Sequence, residues 1–305
     1  MKKYMGIFPG QGSQTVGMGK ALFDSSEKAK EIFSLADKVL GFSLSKLCFE
    51  GPADQLTATA VAQPAILTVS TICYEIAKSQ NGSQWSLVAA AGHSLGEYTA
   101  LVAAGAIRFE DAVQLVHKRG RYMQEAVPAG QGKMLAVLGK EVVDLEAALA
   151  KVTSGVAQIA NINAPGQIVV AGSVQGMDEF LSHLGSAKSI PLPVSAPFHC
   201  AMMKPAEEKL ALDLKSLSIQ KPSCPVYANY SAKGLTNPEE IREALKLQVC
   251  GRVRWVECMQ NAISEIAPEA IVEFGAGNVL SGMLKRIDSS QKRLNVQSAE
   301  DSAQL

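Results

Sequence analysis

The segment 85–98 constrains the fold more than any other part of this 305-residue chain. An apolar run over 85–91 is followed by Gly92-His93-Ser94-Leu95-Gly96, and then by an Ala- and Leu-rich segment. A G-x-S-x-G pattern between a strand and a helix is typical of a nucleophile elbow, a sharp turn that exposes a reactive serine. Glycines are expected on both sides of the serine because the turn leaves no room for neighbouring Cβ atoms. The sequence therefore predicts an α/β fold with Ser94 as its nucleophile.

The balance of charge narrows the range of partners. The chain has 29 basic and 29 acidic residues, and 47% of its residues are apolar. We therefore expect a compact protein without a global field that attracts nucleic acid or a membrane surface. We find no apolar run typical of a signal peptide or a membrane span. The six cysteines have neither C-x-x-C nor zinc-site spacing, so we expect reduced thiols, no metal site and a cytoplasmic protein.

The order of predicted elements indicates two units. Strands are predicted at 4–8, 87–91, 226–227 and 270–274, among long helices such as 109–125. Segment 128–195 differs, because its short elements follow the order β-α-β-β-α-β, which is the ferredoxin-like pattern. We therefore expect a ferredoxin-like subdomain, 128–195, inserted into a larger α/β core. The polar tail 298–305 is expected to be loose.

A serine hydroxyl needs a base to accept its proton, and the chain has four histidines. His93 adjoins Ser94 and is expected to point elsewhere, while His117 and His183 lie on predicted helices as ordinary helix residues. His199 follows the proline-containing loop that leaves the insertion, which places it at a domain junction, where clefts form. From the residues alone, His199 is as well explained as an ordinary loop histidine as it is as the base.

An orienting acid is harder to place. Esterases with this elbow normally carry one between the serine and the histidine. The candidates all lie in polar helical segments: Asp111, Asp144 and Asp178. The lack of a suitable acid argues against an ordinary esterase.

Five motifs in this order make the chain resemble a known family over residues 4–287. They are Phe8-Pro9-Gly10-Gln11-Gly12-Ser13-Gln14, Gly92-His93-Ser94-Leu95-Gly96-Glu97-Tyr98, Arg119, Asn163-Ala164-Pro165-Gly166-Gln167 and Pro197-Phe198-His199-Cys200. The family is the malonyl-CoA:acyl carrier protein transacylases. The resemblance implies an α/β-hydrolase-like core with a parallel sheet, at 1–127 and 196–305, around the inserted subdomain. It also implies malonyl transfer from malonyl-CoA to acyl carrier protein in fatty-acid biosynthesis.

The resemblance implies a ping-pong mechanism. Ser94 attacks the malonyl thioester while His199 accepts its proton, and the pantetheine thiol of the carrier later takes the malonyl group. A carbonyl at Gln248 replaces the acid and fixes the histidine tautomer. The backbone N–H groups of Gln11 and Leu95 form the oxyanion hole. CoA enters and leaves as a substrate, so no cofactor is implied.

The resemblance also assigns substrate contacts. Arg119 matches a clamp for the malonyl carboxylate, which a guanidinium can hold by two hydrogen bonds. Phe198 would crowd the α-carbon and favour malonyl, while Asn163 and Gln167 would contact substrate. Gln167 and Lys188, in the inserted subdomain, would meet CoA.

The carrier and the exact reaction leave alternatives open. Acyl carrier proteins are acidic, so we expect a basic patch near the cleft that includes Lys285 and Arg286. We expect a monomer. A discrete acyltransferase that serves a polyketide synthase would use the same chemistry. A serine hydrolase would use Ser94 and His199 with water, and a carrier-binding module could retain the elbow as a relic.

Overall fold

The computed structural model describes residues 1–194 and 196–305. Its strands are β1 (Lys2–Phe8), β2 (Trp85–Gly92), β3 (Gly132–Leu138), β4 (Ala157–Ala164), β5 (Gln167–Ser173), β6 (Lys188–Pro191), β7 (Val226–Tyr227), β8 (Gly234–Leu235), β9 (Ala270–Phe274) and β10 (Arg293–Val296). Its α-helices are α1 (Lys20–Ser25), α2 (Glu27–Leu40), α3 (Leu44–Glu50), α4 (Ala53–Thr57), α5 (Thr59–Asn81), α6 (Gly96–Ala103), α7 (Phe109–Glu125), α8 (Val142–Leu149), α9 (Val174–Leu184), α10 (Lys204–Ser216), α11 (Pro238–Leu247), α12 (Trp255–Ile266) and α13 (Val279–Ile287).

The larger sheet is mostly parallel and has the order β10-β9-β1-β2-β7-β8, with only β8 antiparallel to its neighbour. Its central strands carry apolar residues on both faces, as expected for a parallel strand covered by helices on each side. Phe8 and Phe274 face the core that includes α5, whereas Ile7 and Ala89 face α12 and α13. The mixed α/β fold with a parallel sheet that the sequence predicts is confirmed.

The smaller sheet is antiparallel and has the order β4-β5-β3-β6. Helices α8 and α9 pack against it around Leu145 and Phe180, which gives this unit its own apolar cluster. Its elements follow the predicted order β-α-β-β-α-β. Backbone hydrogen bonds join it to the larger unit: Ile162 N donates to Val253 O at 2.9 Å, and Val253 N to Ala160 O at 2.7 Å.

Helix α5 is long and apolar enough to cross a membrane by length and composition, although the sequence suggested no such run. In the fold, 83% of its apolar window is buried inside the protein. The helix packs against α7 and α6 in the main core, so its apolar surface is covered by protein. It also carries the buried side chain of Gln63 towards the end of the sheet where Ser94 lies.

The C-terminal tail is not loose, so that expectation was wrong. Lys2 Nζ and Tyr4 Oη donate to the backbone oxygen of Leu305 at 2.8 and 3.3 Å. Asn81 Nδ2 donates to Ser302 O at 2.6 Å, and the side chain of Leu305 is buried. The tail is ordered by contacts more than 200 residues away in sequence, which its polar composition does not reveal.

Candidate active site

The turn between β2 and α6 has the elbow geometry that the sequence predicts. Ser94 adopts a left-handed conformation with φ of 50°. A Cβ atom at Gly92 would lie 1.9 Å from the backbone carbon of Gly96, and one at Gly96 would lie 2.0 Å from Phe8 O. Both positions therefore require glycine, because backbone atoms cannot move aside as a flexible side chain can.

Two amide side chains hold the backbone of Ser94 in this conformation. The Ser94 N–H donates to Asn229 Oδ1 at 2.6 Å, and Gln248 Nε2 donates to the Ser94 carbonyl at 3.1 Å. Asn229 Nδ2 also donates to Gly92 O at 2.8 Å. A left-handed non-glycine residue costs about 1–3 kcal/mol, and these contacts are what offsets that strain.

His199 meets the serine hydroxyl. Its Nε2 lies 2.7 Å from Ser94 Oγ, and its Nδ1 lies 2.9 Å from the backbone oxygen of Gln248. If Nδ1 carries the proton and donates it to that carbonyl, Nε2 is free to accept a proton from the serine. Burial, with the neighbouring Arg119 charge, lowers the pKa of His199 to about 3. The imidazole is therefore neutral near pH 7, as a base must be before it acts.

Arg119 is a buried cation, 1% exposed, whose hydrogen-bond partners are all neutral. Nη1 donates to Gln63 Oε1 at 2.7 Å, and Nη2 lies 3.0 Å from both Gln248 Oε1 and Ser94 Oγ. Its Nε has no partner among the described residues, which also provide no ion pair to the guanidinium. Burial lowers the pKa of Arg119, and the Glu97 carboxyl, which is linked to Arg119 through the Gln248 amide and forms no ion pair with it, opposes this shift. A buried charge normally needs a partner, and an anionic group in the cleft that Arg119 lines would supply one.

A cleft of about 460 Å³ opens above Ser94 between the two units. Its lining includes the predicted residues Gln11, Ser94, Leu95, Arg119, Asn163, Phe198 and His199. The backbone N–H groups of Gln11 and Leu95 donate to no acceptor within the described part of the chain. Both N–H groups are therefore left without a protein acceptor, which is a requirement for an oxyanion hole. Gln248 is fully buried beneath these residues.

Some of the other residues considered in the sequence analysis lie outside the cleft, and others contact a protein side chain within its wall. Gln167 does not line it, since its Oε1 accepts from Arg286 Nη1 at 2.7 Å. Lys188 is exposed on β6, and also does not line the cleft. His93, predicted to be structural, places Nε2 2.8 Å from Asn163 Oδ1 and packs against Trp255. The Asn163 amide therefore faces His93 within the cleft wall.

Comparison with known proteins identifies the family. The family model of the acyl transferase domain matches residues 6–300. The malonyl CoA-acyl carrier protein transacylase of Bacillus subtilis is 44% identical over 98% of this chain and 95% of its own. The chain belongs to the malonyl CoA-acyl carrier protein transacylases.

Solved structures agree with this family. An acyl carrier protein S-malonyltransferase from Vibrio cholerae superimposes with a TM-score of 0.95 at 39% identity, with 99% of each chain covered. A malonyl-transacylase solved in complex with its type II PKS acyl-carrier protein gives a TM-score of 0.94 at 37% identity. That match covers 99% of this chain and 98% of the other.

Three polar residues contribute to the site but were not predicted from the sequence. Gln63 contacts Arg119, Asn229 contacts Ser94, and Glu97 contacts Asn229 and Gln248. Asn229 follows β7 at the carboxyl edge of the sheet, where ligand-binding residues gather, which is a usable signal. Glu97 follows the elbow directly, but only the fold shows that it is buried and that burial raises its pKa to about 7.

Proposed function

We propose that this protein transfers the malonyl group of malonyl-CoA to the pantetheine thiol of an acyl carrier protein, in fatty-acid biosynthesis. The relatives named above are malonyl CoA-acyl carrier protein transacylases, and the match extends over nearly the whole chain. The observation that carries the substrate class is Arg119, a buried cation without a carboxylate partner, 3.0 Å from Ser94 Oγ. An acyl group on Ser94 that itself carries a carboxylate would supply the missing anion.

In the first half of the proposed reaction, Ser94 Oγ attacks the thioester carbonyl and His199 Nε2 takes the hydroxyl proton. The resulting oxyanion accepts hydrogen bonds from the N–H groups of Gln11 and Leu95. One such donor is commonly worth about 3 kcal/mol in the transition state. The tetrahedral intermediate then breaks its C–S bond, CoA leaves as a thiol with the proton from His199, and the malonyl ester of Ser94 remains.

The second half reverses these steps with a new thiol. His199 takes the proton of the pantetheine thiol, whose sulfur attacks the ester carbonyl. Ser94 leaves and recovers its proton from His199, and the malonyl group is now a thioester on the carrier. The backbone carbonyl of Gln248 accepts a hydrogen bond from the Nδ1–H group of His199 throughout, so the imidazole keeps one tautomer between turnovers.

Arg119 sets the choice of acyl group in this proposal. Its Nη2, which lies beside Ser94 Oγ, can donate to the malonyl carboxylate. An acetyl group would leave the buried cation unpaired, which is penalised. Phe198, buried in the cleft wall, would narrow the space around the α-carbon, and Asn163 completes that wall. Gln167 can reach CoA in this scheme only if its contact with Arg286 is exchanged.

We also propose that residues 1–127 and 196–305 form an α/β-hydrolase-like core and residues 128–195 a ferredoxin-like subdomain. In the order of its own strands, the smaller sheet runs 2-3-1-4, which supports the ferredoxin-like assignment. We also propose that the protein acts as a monomer and needs no cofactor, since the proposed acyl transfer uses only side-chain and backbone groups, with CoA as a substrate. The six free cysteines favour the cytoplasm as its location.

The experiment offers the protein radiolabelled malonyl-CoA, acetyl-CoA and methylmalonyl-CoA, with the host's fatty-acid carrier and any polyketide carrier as acceptors. We expect malonyl transfer to the fatty-acid carrier to be fastest. The solved complex with a type II PKS carrier supports a second candidate, transfer to a polyketide carrier, and preference for that acceptor would favour it. Release of free malonate as fast as transfer would instead favour a serine hydrolase.

A further inference from the structure

Glu97 lies in the first turn of α6, directly behind the elbow, and is 2% exposed. One of its oxygens, Oε2, accepts two hydrogen bonds: from the backbone N–H of Asn229 at 2.8 Å and from Gln248 Nε2 at 2.7 Å. This carboxylate takes part in none of the steps of the proposed mechanism. It touches neither Ser94 nor His199 through any hydrogen bond of the described residues.

The two residues that donate hydrogen bonds to Glu97, Asn229 and Gln248, also form hydrogen bonds with the backbone of Ser94. The Asn229 side chain accepts from the Ser94 N–H, while Gln248 Nε2 donates to the Ser94 carbonyl and the Gln248 carbonyl accepts from His199. Glu97 Oε2 is already the acceptor from the Asn229 N–H, and a guanidinium can only donate. Glu97 on one side and Arg119 on the other therefore leave the Gln248 amide a single orientation, with Nε2 towards Glu97 and Oε1 towards Arg119.

We propose that Glu97 is a positioning residue for acyl transfer, which keeps Ser94 Oγ in line with His199 through Asn229 and Gln248. The inference rests on the proposed function, since the rate that it concerns is that of malonyl transfer. Ser94 needs external support because its left-handed φ of 50° is unfavourable for a residue with a Cβ atom. Release of its backbone would let the turn relax and would displace Oγ from the imidazole. A displacement of about 1 Å can reduce a rate by about 100-fold.

The test compares Glu97→Ala and Glu97→Gln with the wild type. The amide oxygen of glutamine can still accept both hydrogen bonds, because both go to one oxygen of Glu97. The matched control is Glu207→Ala, which removes another buried glutamate, on α10 and outside the cleft. The measured quantities are the single-turnover rate of malonyl-enzyme formation at saturating malonyl-CoA, the concentration giving half that rate, and the melting temperature. Each rate is divided by the folded fraction.

We expect Glu97→Ala to form malonyl-enzyme about 100-fold more slowly per folded molecule, with a nearly unchanged half-saturating concentration. Glu97→Gln should recover at least about tenfold of that loss, because one hydrogen-bond acceptor replaces another. Glu207→Ala should melt at a lower temperature and keep the wild-type rate.

A wild-type rate per folded Glu97→Ala molecule would overturn the proposal and leave Glu97 a merely structural residue. Equal losses in the alanine and glutamine variants would also overturn it, because charge rather than position would then matter. If Glu97→Ala does not fold, Glu97→Asp decides, since it withdraws the carboxylate by one methylene. It should be slow, and a wild-type rate there would contradict the inference. Absence of malonyl-enzyme in the wild type would instead refute the proposed function.

Discussion

Two arginines with neutral partners differ in burial. Arg119 lines the floor of the cleft, whereas Arg286 lies outside the cleft lining, where α13 meets the turn between β4 and β5, a surface here called the rim. Arg119 on the floor contacts Gln63, Gln248 and Ser94 and is 1% exposed. Arg286 on the rim donates to Pro165 O at 2.6 Å and to Gln167, but its side chain is exposed. The hydrogen bonds alone do not separate the two residues.

Exposure to water distinguishes the two arginines. An exposed guanidinium remains hydrated and screened, so its contacts contribute at most about 1 kcal/mol. A buried cation loses that hydration, and an anionic partner is what normally compensates for the lost free energy. We therefore infer that Arg119 is kept for an incoming anion, whereas Arg286 joins α13 to the turn between β4 and β5. Burial without a directly paired carboxylate, and not the number of hydrogen bonds, distinguishes the proposed binding group from the surface arginine.

The largest effect should come from the base on the floor. His199→Ala removes the group that accepts the Ser94 proton, and we expect malonyl-enzyme formation to slow by about 1,000-fold, within the usual range for a general base. Rapid-quench measurement of CoA release gives this rate. A decrease in this rate of less than tenfold would mean that another group accepts the Ser94 proton. The functional difference between the cleft floor and the rim would then be lost.

Arg119→Ala should have the next largest effect. We expect kcat/KM for malonyl-CoA to fall by about 100-fold, while acetyl-CoA is spared, because only malonyl offers a carboxylate to the guanidinium. Arg119→Lys should not restore the rate, since an ammonium lacks the planar fork. Equal losses with both thioesters would make Arg119 structural, and its difference from Arg286 would then have no functional meaning.

The buried imidazole also predicts how stability depends on pH. The pKa of His199 is about 3 in the fold against 6.5 as its ordinary value, so the neutral form is favoured by folding. Its contribution is therefore constant above pH 6.5 and is lost as the pH falls towards 3. By linkage, the wild type should lose about 2 kcal/mol more than His199→Gln between pH 7 and pH 5. Urea unfolding of both proteins measures the difference, and parallel curves would contradict it.

The smallest effect belongs to the rim. Arg286→Ala should change the free energy of unfolding by less than about 1 kcal/mol and leave kcat/KM for malonyl-CoA within about twofold. The KM for the acidic carrier should rise modestly, and more at low salt, if this arginine belongs to the carrier-docking patch. A loss of malonyl-enzyme formation comparable to that of Arg119→Ala would erase the distinction between the two regions.

The sequence predicted those features that local sterics determine. The G-x-S-x-G turn was predictable because Gly92 and Gly96 have no room for a side chain, and helix α7 has its predicted bounds. The supporting contacts were not predictable, because Asn229 is 135 residues from Ser94 along the chain. Gln167 was assigned to the site from its motif, but its side chain pairs with Arg286, and only tertiary structure shows that.

The proposed mechanism depends most on Ser94 Oγ as the atom that carries the malonyl group between two thiols. Mass spectrometry of protein quenched after mixing with malonyl-CoA, followed by peptide mapping, tests this directly. We predict one malonyl group per chain, on the peptide that contains Ser94, lost on addition of holo acyl carrier protein and absent in Ser94→Ala. Malonylation of Ser94→Ala to the same extent, or a label on any other residue, would contradict the account.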